Sequence, residues 1–232
     1  FLFVILNFLK MKPKRVQHTG QARLFESDIL EMLTKTNPGI IWGVYIPILS
    51  YILFRANQVY GLEIKTIVLL FFAGMIYWTF FEYIAHRFLF HMVSDNIKTQ
   101  KVAYILHGNH HEYPRDRQRL FMPLVPSLIL ATVLFLFHYL FLGKYNWAFF
   151  PGFMIGYLSY ASMHYAIHAF DPPFKFMQPL WRNHQLHHYK DEHLGFGVSN
   201  TFWDRVFGTM FDLTKNKQDK EKVKELMFDK EN

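Results

Sequence analysis

The chain has 232 residues, of which 51% are hydrophobic, and a formal net charge of +7 at pH 7. It contains no cysteine, which excludes disulfides, thiolate-ligated haem, cysteine-ligated iron–sulfur clusters and cysteine zinc sites, so a bound transition metal must use His, Asp or Glu. Basic residues flank the apolar runs, so the charge favours a membrane surface as partner and argues against nucleic acid.

The N-terminal stretch is basic and precedes the first long apolar run. Residues 1–9, "FLFVILNFL", are too short to span a bilayer, and "MKPKRVQ" from Met11 resembles a natural start. Residues 1–10 are therefore interpreted as sequence foreign to the native protein or as a weak interfacial segment. Residues 1–38 are predicted to form a cytosolic or interfacial segment, in which His18 is exposed.

Four apolar runs follow, at about 39–54, 64–81, 124–143 and 147–165. Each approaches the ~20 residues that a helix needs to cross a bilayer, although the first is short. Buried helices of a soluble all-α protein are the alternative, but these runs lack the polar face that such helices show. The sequence therefore predicts an all-α, integral membrane four-helix bundle.

The connections between the runs set the expected topology. Residues 55–63 and 144–146 are short links, whereas the other regions are longer and richer in Lys and Arg. The positive-inside rule places those longer regions on the cytoplasmic side. We expect both termini there, together with a helical cap made of 82–123 and 166–212 and a charged tail at 213–232. The membrane is the endoplasmic reticulum in a eukaryote and the cytoplasmic membrane in a bacterium.

Ten of the 13 histidines gather in four places on that predicted side. The spacings His-x-x-His-His and His-x-x-x-His place imidazoles on one helix face, about one turn apart. Imidazole is a ligand for Fe, Zn, Cu or Ni, and ten ligands exceed the capacity of one ion. We predict a dimetal cage held by His86, His91, His107, His110, His111, His164, His168, His184, His187 and His188.

An iron pair is favoured because it can activate O₂, whereas a hydrolytic zinc site normally has three protein ligands and zinc has no redox chemistry. His86 and His91 are five residues apart and diverge on a regular helix, so their pairing requires a helix that ends or bends near "FLF". The metalloprotease motif HExxH fails after His111, because Arg115 stands where its second His belongs.

Groups around the cage are also predicted. His138 lies inside the third apolar run and is interpreted as a hydrogen-bonding group between helices, and His193 as a group behind the ligands. Ligating imidazoles usually donate their second N–H to a carboxylate or carbonyl. The nearby carboxylates are Glu82, Glu112, Asp116, Asp171, Asp191 and Asp204.

Four stretches resemble the fatty acid hydroxylase superfamily of membrane di-iron enzymes: "HRFLFH", "HGNHHEYPRDRQRLFMPLVPS", "HYAIH" and "RNHQLHHYKDEHLGFGVSNTFWDRVFGT". The similarity extends over roughly residues 20–212. Within the superfamily, "RLFMPLVPS" and "GFGVSNTFWD" favour the fatty acid 2-hydroxylase branch. The chain departs from the family at Ala161, where related members often have Asp after the Tyr at position 160.

The resemblance implies a membrane hydroxylase domain at 39–212 with two iron ions on the same ten histidines, at the cytosolic face. Zinc can replace the iron in purified relatives. It also implies O₂-dependent hydroxylation of the carbon next to the acyl carbonyl, on a free or sphingolipid-linked fatty acid. No "HPGG" haem signature is present, so a separate electron donor of the cytochrome b5 or ferredoxin type is expected. Its docking surface is Arg115, Arg117 and Arg119, unless these contact anionic lipid headgroups.

Three other readings stay open. A sterol or lipid desaturase of the same superfamily shares the site and the metals. A histidine-lined metal transporter differs because its ligands lie at mid-membrane along a path. A bis-histidine haem electron carrier differs by its Soret absorption band.

Overall fold

The computed structural model describes residues 16–212; Met11 and the predicted charged tail at 213–232 lie outside them. Every regular element in this part of the chain is helical, as the sequence predicts. The α-helices are α1 (Asp28–Met32), α2 (Pro38–Gln58), α3 (Ile64–Ile84), α4 (Ile97–Ala103), α5 (Asn109–Glu112), α6 (Leu124–Leu142), α7 (Asn146–Ala169), α8 (Gln178–Tyr189) and α9 (Phe202–Val206).

Local chemistry explains where the long helices begin and end. The Asn37 side chain accepts a hydrogen bond from the Gly39 amide at 2.8 Å, and Pro38 occupies the first turn, so α2 begins there. Between α6 and α7, Gly143 has φ +51°, a conformation that favours glycine. A single 3₁₀ turn, Gly143–Tyr145, connects the two helices.

Within residues 16–212, three stretches are long and apolar enough to cross a membrane: Pro38–Gln58, Ile64–Phe90 and Leu124–Ala169. The third has 46 residues, about 69 Å as a continuous helix and far longer than a ~30 Å hydrocarbon core. It contains α6 and α7, which fold back on each other. Asn146 donates to the Phe135 carbonyl at 3.0 Å, and the rings of Phe135 and Phe150 lie 5.2 Å apart.

Helix α7 contacts the other three long helices and fixes their directions. Trp42 near the start of α2 donates to Ser162 near the end of α7 at 3.0 Å, so these helices are antiparallel. Trp78 in α3 packs on Tyr157 at 5.4 Å, further along both helices than the contact of Phe71 with Gly152. Helices α3 and α7 therefore run in the same direction, and their C-terminal ends lie together.

Glycines bring α3 and α7 into backbone contact. A Cβ atom at Gly152 would lie 1.8 Å from the Phe71 carbonyl oxygen, and one at Gly74 would lie 2.2 Å from the Phe149 oxygen. Gly156 faces Trp78 in the same way, with 2.5 Å to its Cβ. Small residues allow this approach in membrane helices, where close packing stabilises association. The sequence analysis did not identify this interface, although Gly152 and Gly156 have the GxxxG spacing.

The predicted basic docking surface is smaller in the structure. Arg119 forms ion pairs with Glu31 and Asp116, and its side chain is only 4% exposed. It fastens the N-terminal segment to the chain after α5, so it is not a surface charge. Arg117 donates to the Ala169 carbonyl at 3.0 Å and covers the Phe170 ring at 5.6 Å. Arg115 and Arg117 remain exposed.

Candidate metal centre

The ten predicted histidines come together in two groups of five. In each group one nitrogen from every ring lies within 4.8 Å of the others. The first cluster is His86, His91, His107, His111 and His187, and the second cluster is His110, His164, His168, His184 and His188. The clusters adjoin, since the stacked rings of His111 and His188 are 4.1 Å apart. Each cluster draws on three separate parts of the chain.

A π-helix brings the rings of His86 and His91 together, although these residues are five positions apart. Helix α3 continues as a π-helix over Ala85–Phe90, and the His91 amide donates to the His86 carbonyl at 3.2 Å. Because a π-helix pairs residues five apart, both rings reach the same side, 5.1 Å from centroid to centroid. A second π-helix, Tyr104–Gly108, carries His107 towards them. The bend near "FLF" that the pairing requires is this change of helix type.

The nitrogen–nitrogen distances are those of ligands around one ion. Nε2 of His107 lies 3.1 Å from that of His86 and 3.0 Å from that of His111. In the second cluster, Nε2 of His184 lies 2.9 Å from that of His168 and 3.2 Å from that of His188. Two nitrogens bound at right angles, each ~2.1 Å from a metal, are about 3 Å apart.

Hydrogen bonding alone does not account for these contacts. A ring nitrogen carries either one hydrogen or one lone pair, so Nε2 of His107 or His184 cannot satisfy two neighbours. Nε2 of His110 and of His164 is buried without a hydrogen-bond partner in the part of the chain that the structure describes. A shared cation satisfies all these lone pairs together, so the residues present fit a metal in each cluster.

Burial also keeps the imidazole rings neutral, which is the form that can bind a metal. Desolvation, with the neighbouring imidazoles, lowers the pKa of His91 to about 3. The same two causes hold the pKa values of six further cluster histidines well below the usual 6.5. These six lie outside the membrane-spanning stretches and are His107, His110, His111, His184, His187 and His188. Neutral imidazoles are metal ligands, whereas imidazolium is not.

One loop orients two histidines of the first cluster. Residues 194–200, the orienting loop, follow α8. His86 donates from Nδ1 to the Phe196 carbonyl at 2.6 Å, and His187 donates from Nδ1 to the Leu194 carbonyl at 2.7 Å. These bonds fix the tautomer and leave Nε2 of each ring for a metal.

Two buried carboxylates hold this loop. Glu82 accepts from the amides of Val198 and Ser199 at 2.8 and 2.9 Å. Asp204 accepts from the amides of Phe196 and Gly197 at 2.9 and 2.8 Å. Both were candidates to contact a ligand directly, but they act through the loop instead.

The other predicted carboxylates have different positions. Glu112 accepts from the Tyr104 hydroxyl at 2.9 Å, Asp116 pairs with Arg119, and Asp191 accepts from the His193 amide at 2.9 Å. Asp171 is exposed at the end of α7. The sequence analysis missed Glu192, which lies 3.9 Å from Nδ1 of both His91 and His111.

The histidines outside the predicted cage also lie outside both clusters. His193 is exposed. His138 is buried, but its Nδ1 donates to the Leu134 carbonyl of its own helix at 2.7 Å. The prediction of a bond between helices is therefore wrong, because the backbone one turn earlier provides the acceptor. The ring of His138 packs against Phe153 of α7 at 5.0 Å.

Replacing Asp204 with Asn should loosen the orienting loop. The new NH₂ group would face N–H donors, so at least one charge-assisted hydrogen bond is lost, at ~1.5–3 kcal/mol. We expect the melting temperature in detergent to fall by roughly 5 °C or more, with less metal in the first cluster. The exposed Asp28→Asn is the matched control. An unchanged melting temperature and metal content in D204N would contradict this role.

A sequence profile described as "Fatty acid hydroxylase" matches residues 71–209. The chain is 34% identical over 189 residues to the dihydroceramide fatty acyl 2-hydroxylase FAH2 of Arabidopsis thaliana, covering 81% of this chain and 79% of that protein. It is 36% identical to the ceramide very long chain fatty acid hydroxylase scs7 of Schizosaccharomyces pombe, and this match covers 85% of this chain and 57% of that protein.

Human fatty acid 2-hydroxylase is 33% identical, with 83% of this chain and 57% of the human protein covered. The chain thus spans little more than half of the yeast and human relatives. A solved structure described as full-length scs7p, with only the hydroxylase domain visible, superimposes with a TM-score of 0.77 at 32% identity. The match covers 89% of this chain and 82% of that one.

Proposed function

The chain belongs to the fatty acid hydroxylase family, and on that basis we propose that it is a membrane fatty acid 2-hydroxylase. This oxidoreductase uses O₂ to hydroxylate the carbon next to the acyl carbonyl of a free or sphingolipid-linked fatty acid. The observation that carries the proposal is the pair of adjoining five-histidine clusters beside the ends of long apolar helices.

Each cluster would hold one iron ion, with the ten histidines as its ligands. Bound iron supplies the redox reaction with O₂ that attacks an unactivated C–H bond, which zinc cannot supply even where it replaces iron. The all-imidazole donor set is compatible with iron, because imidazole binds iron as well as zinc, copper and nickel. The orienting loop holds His86 and His187 in the productive tautomer.

The remaining contribution of the protein is positioning. An acyl chain would lie between the membrane helices while its carboxyl end reaches the clusters, so that only the carbon next to the carbonyl meets the metals. Tyr160 stacks on His164 at 5.9 Å and packs against Trp78 at 5.8 Å, at the boundary between apolar helices and metal centre. Ala161, where relatives often have Asp, is 3% exposed within an apolar cluster. Because position 161 is alanine in this chain, no carboxylate there can contact a substrate.

Helices α2, α3, α6 and α7 would form a four-helix membrane bundle, within a hydroxylase domain at 39–212. The alternating helix directions support four crossings, since they place the ends of α3 and α7 on one side. With the metal centre and both termini cytoplasmic, the chain after α3 and after α7 forms a cytosolic cap.

Electrons would come from a separate donor of the cytochrome b5 or ferredoxin type. Arg115 and Arg117 are exposed and suit an acidic partner, and Arg119 does not belong to this surface.

Expression in a host that lacks 2-hydroxy fatty acids tests the activity. Mass spectrometry of total lipids should show 2-hydroxyacyl species that are absent from cells with the empty vector. New double bonds or altered sterols without 2-hydroxy acids would instead identify a desaturase or sterol oxidase. The position of the clusters at helix ends, away from mid-membrane, already argues against a transport path.

A further inference from the structure

The chain folds back along α7 after that helix ends. Residues 170–177, the fold-back segment, leave α7 and return beside its outer face. An open apolar groove of about 390 Å³ lies between the two. Its lining includes Ser162, Met163 and Ala166 on α7, and Phe170, Met177 and Trp181 on the returning chain.

Contacts fix the depth and the side of this groove. Ser162 accepts from Trp42, which lies one turn inside the spanning stretch Pro38–Gln58. The groove therefore lies level with the beginning of a membrane helix. Ala166 is two residues from the cluster ligand His164, about 200° around α7. The groove thus faces away from the metal centre and towards the surroundings of the bundle.

The fold-back segment exposes three large aromatic rings. Phe170, Phe174 and Phe176 are 60%, 59% and 79% exposed, and the last two stack on each other at 5.5 Å. Such a cluster is unfavourable in water and marks a contact surface. Lys175 stands between Phe174 and Phe176 in the sequence and is exposed, and Arg117 covers the Phe170 ring. Aromatic rings beside cations match the layered chemistry of a membrane interface, where rings enter the acyl region and cations meet phosphates.

We propose that the fold-back segment is a membrane anchor that binds a bilayer phospholipid. Phe174 and Phe176 insert at the boundary between headgroups and acyl chains, in the leaflet on the metal-site side. One acyl chain of the bound lipid occupies the groove, and Lys175 faces its phosphate. The proposal rests on the membrane location of the helices and not on the hydroxylation reaction.

The absence of cysteine from the chain makes the test direct, because a single introduced cysteine is the unique labelling site. Nitroxide labels are attached in F174C, F176C and M177C, and the protein is placed in vesicles of phosphatidylcholine and phosphatidylserine. Collision with O₂, which concentrates in the acyl region, is compared with collision with a water-soluble nickel chelate. L136C, on the apolar face of α6, and K98C, on exposed α4, are the lipid and water controls. Metal content equal to that of the unsubstituted protein verifies each variant's fold.

The labels at positions 174, 176 and 177 should resemble L136C, with high O₂ and low nickel accessibility. Nickel accessibility like that of K98C would place the segment in water and overturn the proposal. Low accessibility to both reagents at 174 and 176 would show that another protein copy or partner covers the surface, which also overturns it. Low accessibility to both at 177 alone would show that no acyl chain enters the groove. None of these outcomes depends on enzyme activity.

Discussion

His187→Ala is expected to abolish 2-hydroxylation while the protein still inserts in the membrane. His187 is fully buried; its Nε2 lies 3.0 Å from that of His91, and its Nδ1 holds the orienting loop through the Leu194 carbonyl. Alanine removes one nitrogen donor from the first cluster and frees the loop. Loss of a group that only supports a ligand costs 10–100-fold in affinity or activity, so loss of the ligand should cost at least ~100-fold. The measurements are 2-hydroxy acid yield and metal content per chain.

His193→Ala is the matched control, because His193 lies six residues further along the chain with its side chain exposed. It should keep full activity and full metal content. Insertion of H187A should be normal, since α8 lies outside the spanning stretches. Full activity in H187A would remove this residue from the site.

Gly152→Ala should disrupt the metal centre from a distance. The added Cβ would lie 1.8 Å from the Phe71 oxygen and 2.6 Å from its carbonyl carbon, so the backbones of α3 and α7 must separate. Overpacking of this kind costs about 1–3 kcal/mol or more. The π-helix that continues α3 carries His86, and α7 carries His164 and His168. Separation of the two helices therefore changes the spacing of both clusters. Activity and metal content should therefore fall together with the melting temperature.

Gly43→Ala makes the same chemical change in α2, where a Cβ meets nothing within 4 Å. Alanine is favoured over glycine in a helix by about 1 kcal/mol, so this variant should be as stable as the unsubstituted protein or more stable. Equal behaviour of G152A and G43A would show that the glycine contact does not hold the clusters in place.

The sequence predicts well those features that depend on the spacing of nearby residues, namely the long helices and the histidine motifs. The long apolar runs predict α2, α3, α6 and α7, and the structure places these helices within a few residues of the expected limits. The repeated histidine spacings identify all ten members of the two clusters. Their role as ligands remains a prediction, but their convergence from separate parts of the chain agrees with it.

The division into two clusters could not be predicted, because it depends on how helices pack. Each His-x-x-His-His motif is split: His107 and His111 belong to the first cluster, whereas His110 belongs to the second. Likewise His187 separates from His184 and His188. Spacing puts these rings on one side of a helix, but only tertiary contacts decide which neighbour each ring meets.

The supporting groups were harder still to predict. Glu82 and Asp204 were candidates among six carboxylates, and only the folded loop shows that they bind amides of residues 196–199. The π-helix after α3 follows from no propensity in "AHRFLF". The Gly152 contact has a sequence signal in its GxxxG spacing, but its partner helix is set by the bundle.

Metal analysis combined with X-ray absorption on the purified, iron-loaded protein tests the central claim most directly. Two iron ions per chain are predicted, each surrounded by imidazole nitrogens. The absorption spectrum should show the multiple scattering that arises from the outer atoms of ordered imidazole rings. Fewer than one tightly bound ion per chain, or a shell dominated by carboxylate oxygen, would contradict the assignment of these ten histidines to two metal sites.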